Sequence, residues 1–143
     1  MENMAINKTL VVEAEDKSLL EINKELEEAL DSAGASFSLV MKIELMVEEI
    51  FVNIAHYAYA PNKGKATIIL SVSDSSPKEL ELVFIDEGKP YDPLKKETPD
   101  LTLDSKERGI GGLGIYLFKT IADSSSYERK DGKNILTVRK ALI

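Results

Sequence analysis

Between Ser36 and Tyr59 apolar residues recur at three- and four-residue steps: Leu39, Ile43, Met46, Val47, Ile50, Ile54 and Ala58. That period gives a helix with one continuous buried face. A helix of such length must lie on a broad apolar surface, so the rest of the chain has to supply one. Ser36 opens this helix, and Pro61, Asn62 and Gly64 end it. A shorter helix precedes it, capped by Asp16 or Ser18 and running to about Ala33, with Leu19, Leu20, Ile22, Leu26 and Leu30 facing inward. Gly34 supplies its stop. The surface comes from short β-branched and apolar runs at 9–14, 66–72, 80–85, 126–129 and 134–142. The second and third are joined by the turn-rich segment 73–77, and the last two by a turn holding Asp131-Gly132, so both pairs are expected to be antiparallel. A third helix spans about 113–122. Strands and helices do not alternate strictly. The expectation is an α+β, two-layer sandwich: one mixed, mostly antiparallel sheet covered on one face by about three helices, forming a single domain over residues 1–143.

Charge narrows the function. The chain carries a formal net charge of −7, a poor match to nucleic acid, whose phosphates need clustered Lys and Arg. An ATP site survives this objection, because backbone N–H groups and a bound cation can carry the phosphates locally. The chain has no cysteine, which excludes disulfide scaffolds, thiolate metal sites and cysteine nucleophiles. The N-terminus has no apolar run of signal-peptide length, and no stretch approaches the ~20 apolar residues that span a bilayer. These features lead us to expect a cytoplasmic protein with no membrane partner.

Three segments carry candidate chemistry. Glu49 and Asn53 lie four apart on the long helix and share a face at the border between core and solvent. Taken alone, the pair also fits a solvated flank, since Glu48 adds to a local charge run. Asp86 ends an apolar strand and Gly88 follows two residues later, in Ile85-Asp86-Glu87-Gly88-Lys89-Pro90. An acid there can accept from adenine's exocyclic amine, whereas guanine presents a carbonyl at the same place. An ordinary Asx-type turn has the same sequence. The third segment is Arg108-Gly109-Ile110-Gly111-Gly112-Leu113-Gly114-Ile115 at the head of the last helix. Its glycines leave backbone N–H groups accessible, and the helix N-terminus adds donors, so together they make a phosphate cradle. Arg108 adds a planar, charged donor for a terminal phosphate. No Gly-Lys-Ser/Thr follows, which excludes a P-loop, and the preceding polar segment excludes a Rossmann turn. That segment, from Glu87 to Gly112, is long and irregular, which in a compact domain marks a functional lid or partial disorder.

In this order, the three segments resemble the GHKL (Bergerat-fold) ATPase superfamily, and within it the bacterial anti-sigma-factor serine/threonine kinases. The matching stretches are EEIFVNIAHYAY, FIDEGKPYDP, ERGIGGLGIYLFKTIAD and the closing DGKNILTVRKAL. The resemblance implies ATP and Mg²⁺ as ligands. It makes Glu49 the general base, Asn53 the Mg²⁺ ligand and Asp86 the adenine acceptor, with Gly88 keeping the pocket floor open. Gly112 and Gly114 become phosphate donors, Gly109 and Gly111 lid hinges, and Arg108 a contact to the terminal phosphate or a protein partner. Two positions depart from the family. Relatives often place His or Arg four residues after the metal Asn, where this chain has Tyr57. They also often carry Thr at the place of Asn134. The one histidine, His56, is read as a surface or interface residue.

The function implied is a protein serine/threonine kinase that phosphorylates an anti-sigma-factor antagonist and sequesters a sigma factor, working as a homodimer. With 143 residues, the chain is expected to act as a free-standing domain on separate partners. The alternatives are a nucleotide-gated regulatory module without phosphotransfer and a purely structural domain.

Overall fold

The computed structural model describes residues 4–95 and 112–143. Five strands form one sheet in the order β1-β2-β3-β5-β4, where β1 is Met4–Glu13, β2 Lys65–Ser73, β3 Glu79–Asp86, β4 Ser124–Lys130 and β5 Lys133–Ala141. Among the described residues three α-helices, α1 (Leu19–Ser32), α2 (Phe37–Asn53) and α3 (Gly112–Ile121), accompany it. All four strand pairings are antiparallel, so the sheet is not mixed. The reason lies in the connections. Between β1 and β2 the chain makes a helical hairpin, which returns it to the end it left, where Ala14 N–H donates to Gly64 O at 2.9 Å. A two-residue loop with positive φ at both Asp131 (52°) and Gly132 (78°) closes the β4–β5 hairpin, the backbone that matches strand twist.

Alternate strand residues face the helices. Leu10 and Val12 of β1, Ile68 and Leu70 of β2, Leu82 and Phe84 of β3, and Leu136 and Val138 of β5 are all buried. Against them pack Leu26 and Leu30 of α1, Ile43, Met46 and Phe51 of α2, and Phe118 of α3. Together they form one hydrophobic cluster, the dominant favourable term in such a fold. Leu20 is the exception to the expected inward set, being 81% exposed. Adjacent helical residues point about 100° apart, so Leu19 packs on the core while Leu20 turns away.

The start of α1 also differs from expectation. Asp16–Ser18 form a 3₁₀ turn, and neither side chain caps the helix. Ser18 Oγ donates to Glu13 O at 2.7 Å. His56 Nε2 donates to Asp16 Oδ2 at 2.8 Å, tying the head of α1 to the segment beyond α2. Ser36 does cap α2, its Oγ accepting from Leu39 N–H at 3.2 Å. α1 ends in a Schellman motif, with Ala35 N–H on Leu30 O and Gly34 N–H on Asp31 O, both at 3.0 Å. Among the described residues no helix is long and apolar enough to cross a membrane.

Glu44 Oε1 is sealed from solvent without a hydrogen-bond partner, although the residue as a whole is half-buried. Burial, then the hydrogen bond and charge of Glu27 on α1, push the Glu44 carboxyl up to about 7. The folded protein therefore holds this proton more tightly than the unfolded chain. Its stabilising contribution is complete below the unfolded value of 4.5 and is lost as pH rises through about 7.

Two predictions follow from this packing. Gly34 has φ +81° and open space where a Cβ would stand, so Gly34→Ala is expected to cost about 1–2 kcal/mol through backbone conformation alone, read by urea unfolding. Glu44→Gln should remove the part of the fall in unfolding midpoint that this carboxyl contributes between about pH 4.5 and about pH 7, read by urea unfolding across that window.

Candidate nucleotide site

The site forms where α2 runs out over the ends of β3 and β5. After Asn53 the helix widens into a π-helical turn, Ile54–Ala58, a local form common at functional sites. Terminal helix carbonyls lack intrahelical partners, and that of Ala58 accepts Lys89 N–H at 3.0 Å. This bond seats the Asp86–Gly88 turn against the end of the helix. A Cβ on Gly88 would fall 2.6 Å from the Ala58 carbonyl carbon and 2.7 Å from its Cβ, so only glycine permits the approach. Tyr59 braces the turn from the far side, its hydroxyl donating to Lys65 O at 2.6 Å and accepting from Glu87 N–H at 2.7 Å. Arg129 of β4 donates to Gly88 O at 2.9 Å.

Period-two alternation carries Asp86 onto the same face as Leu80, Leu82 and Phe84. It is buried, 6% exposed, in a position that apolar residues otherwise fill. Burying a carboxylate there is costly unless donors reach it. Gly88 N–H and Asn134 Nδ2 both donate to Asp86 Oδ1, each at 2.9 Å. From the described residues Oδ2 receives no hydrogen bond. Asn134, directly opposite Asp86 in the β3–β5 register, is likewise 6% exposed.

Between these groups lies a cavity of about 270 Å³. Its apolar walls include Ile50, Ile54, Phe84, Phe118 and Leu136, and its polar groups include Asn53, Asp86, Tyr127 and Asn134. An apolar cleft with a few convergent polar groups is the usual form of a small-molecule site, and this volume lies just under the common range of roughly 300–1,000 Å³. Tyr57, Lys89 and Tyr91 complete the lining. Burial, followed by the nearby Asp92 charge, raises the Tyr91 phenol above the ordinary tyrosine range.

The structure brings together Asn53, Asp86 and the Gly88 turn. Glu49, one helical turn before Asn53, is half-buried and does not line this cavity. Burial, with help from the Glu48 charge, holds its carboxyl above the usual glutamate range. Gly112 opens α3 and Gly114 lies in its first turn. Arg108, Gly109 and Gly111 lie outside the described residues. His56 is exposed and lies off the cavity, as a surface residue should. Sequence reasoning missed Lys89, Tyr91, Phe118 and Tyr127. Asn134 it knew only as a departure, yet a signal was present: counting back by twos from Val138 and Leu136 puts an amide on the core face of β5.

Over 103 residues the chain is 31% identical to the serine/threonine-protein kinase BtrW of Bordetella bronchiseptica, covering 72% of this chain and 71% of that one. It is 28% identical over 109 residues to the serine-protein kinase RsbW of Bacillus subtilis, covering 71% of this chain. The chain spans only 65% of that Bacillus relative's length. The crystal structure of the RsbU and RsbW domains of Rv1364c from Mycobacterium tuberculosis superposes with a TM-score of 0.64 over 96% of this chain and 33% of that one, at 16% identity, a likeness of fold. The family model described as "Histidine kinase-like ATPase domain" matches residues 12–140, nearly the whole chain. With GHKL-type architecture in the sheet, the helices and the matched sequence alike, this chain belongs to the histidine kinase-like ATPase domain family.

Proposed function

We propose that this chain binds ATP in the Asp86 cavity and transfers its terminal phosphoryl group to a serine or threonine of a small antagonist protein, while its other partner is a sigma factor that it sequesters. The observation that carries the reading is the buried Asp86 carboxylate, with Oδ1 held by two donors and Oδ2 left for a ligand N–H beside an apolar slot. Adenine's amine suits that acceptor, whereas guanine would set a carbonyl oxygen against it. The names of the kinase relatives agree with a transfer function.

Asn53, at the end of α2 on the cavity wall, offers a hard amide oxygen suited to Mg²⁺. Among the described residues no group of three or more acids or histidines forms a cation cage. That suits an ion held mainly by substrate phosphates and one or two protein ligands. When bound, Mg²⁺ would neutralise charge on the phosphates. Gly112 and Gly114 would offer backbone donors to those phosphates from the first turn of α3, with Gly109 and Gly111 as lid hinges and Arg108 as a contact to the terminal phosphate or the protein partner. Glu49 takes the proton of the attacking hydroxyl. The new oxygen–phosphorus bond forms as the bond to the ADP leaving group breaks, and positioning with charge stabilisation supplies most of the acceleration. A carboxyl raised above the ordinary range is a better matched base near neutral pH. We further propose that the protein works in the cytoplasm as a homodimer.

A nucleotide-gated module without transfer is the second reading, motivated by Tyr57, which lines the cavity where relatives often carry His or Arg. Incubation of purified protein with labelled Mg-ATP and its antagonist separates the two. Glu49→Gln is expected to cut phosphate transfer about 10²–10⁴-fold with ATP affinity nearly unchanged. Transfer should also rise with pH as the Glu49 carboxyl ionises, above its ordinary 4.5. A wild-type protein that binds ATP yet labels no partner would leave only the module. Asp86→Asn should weaken ATP binding about tenfold or more, measured by calorimetry, and a Kd left unmoved would remove the adenine assignment.

A further inference from the structure

Asn134 sets no free hydrogen-bonding capacity toward the cavity, and that is informative. Its amide hydrogens go to Asp86 Oδ1 at 2.9 Å and Lys89 O at 2.8 Å. Its oxygen accepts from Tyr91 N–H at 3.2 Å and from the Tyr127 hydroxyl. An amide has two donor hydrogens and two acceptor lone pairs, so all of its capacity is spent. Reversing the amide would put oxygen against a carboxylate and a carbonyl, and NH₂ against the Tyr91 N–H, so the orientation is unambiguous. The amide ties β3, the segment after it and β4 to the head of β5. It meets Asp86 on Oδ1, the oxygen that Gly88 N–H also holds, and Asp86 itself lines the cavity.

Resting on the ATP reading above, we infer that Asn134 is a positioning residue for nucleobase selection: it fixes the Asp86 carboxylate so that Oδ2 can tell an amine from a carbonyl, without touching the base itself. A carboxylate free to rotate could offer either oxygen, or turn away, and discrimination would fall with it. Buried polar groups gain rigidity when their hydrogen-bonding capacity is satisfied, and that of the Asn134 amide is. Aspartate at this position would place a second carboxylate against Asp86, and an aliphatic residue would leave Lys89 O and Oδ1 each short of a donor.

The test measures ATP and GTP affinity of the full chain by titration calorimetry for wild type, Asn134→Ala, Asp86→Asn and the double variant. Asn134→Ala is expected to lower the ATP-to-GTP affinity ratio by about tenfold to a hundredfold, the size of a lost hydrogen bond to a charged group. The double variant should have the same ratio as Asp86→Asn alone, because one residue acts through the other. A merely structural role would lower the unfolding midpoint and leave the ratio as in wild type, which would overturn the inference. Additive losses in the double variant would overturn it too, by making Asn134 an independent contact. Where Asn134→Ala does not fold, Tyr127→Phe removes one acceptor-side partner and should shift the ratio the same way by a few fold; an unchanged ratio again refutes the role. Wild type that does not bind ATP, or binds ATP and GTP equally, would instead sink the ATP reading on which the inference stands.

Discussion

A carboxylate placed where a β-strand would otherwise bury an aliphatic side chain governs the architecture of the site. Asp86 continues the inward set of β3, flanked by apolar neighbours, and remains there because two donors converge on one of its oxygens. One donor is local, the Gly88 amide two residues on. The other comes from Asn134, 48 residues along the chain. Their convergence requires β3 and β5 to be adjacent and in the observed register, since a slip of one residue would turn Asn134 to the opposite face. The same register brings Leu136 opposite Phe84 and so shapes the apolar wall. Core packing and the shape of the cavity thus rest on one arrangement.

A second constraint is the close approach of two backbone segments. The Ala58 carbonyl, left over at the end of the π-helical turn, takes the Lys89 amide, and Gly88 allows the contact by having no side chain. Tyr59 and Arg129 add hydrogen bonds to the same turn from either side. The turn is therefore held by a backbone contact together with hydrogen bonds from two side chains.

The fold was legible wherever a period was clean. The apolar stripe of α2, the Gly34 stop and the Asp131-Gly132 turn each appear in the structure where local chemistry put them. The strands were harder at their ends. β1 begins at Met4 rather than near Thr9, because Asn7 faces out and Lys8, though charged, reaches Glu25 on α1 at 2.8 Å. Polar residues there signalled a loop in isolation but belong to an edge strand whose helix-side cation has a partner. Leu20 shows the opposite error, an apolar residue counted inward that the helical phase turns to solvent.

By itself the sequence determined which segments are helices and which are strands, that the last two strands form a tight hairpin, that Glu49 and Asn53 share one helix face, and that Asp86 ends a strand with Gly88 in the turn beyond it. Periodicity and turn chemistry are local, so a single chain displays them. Tertiary structure decided the rest. Asn53 and Asp86 came to face one cavity while Glu49 remained a turn away, and Asn134 became the clamp on Asp86. Those outcomes depend on strand register and helix docking, which sum weak contacts over the whole core and leave no mark at any one position.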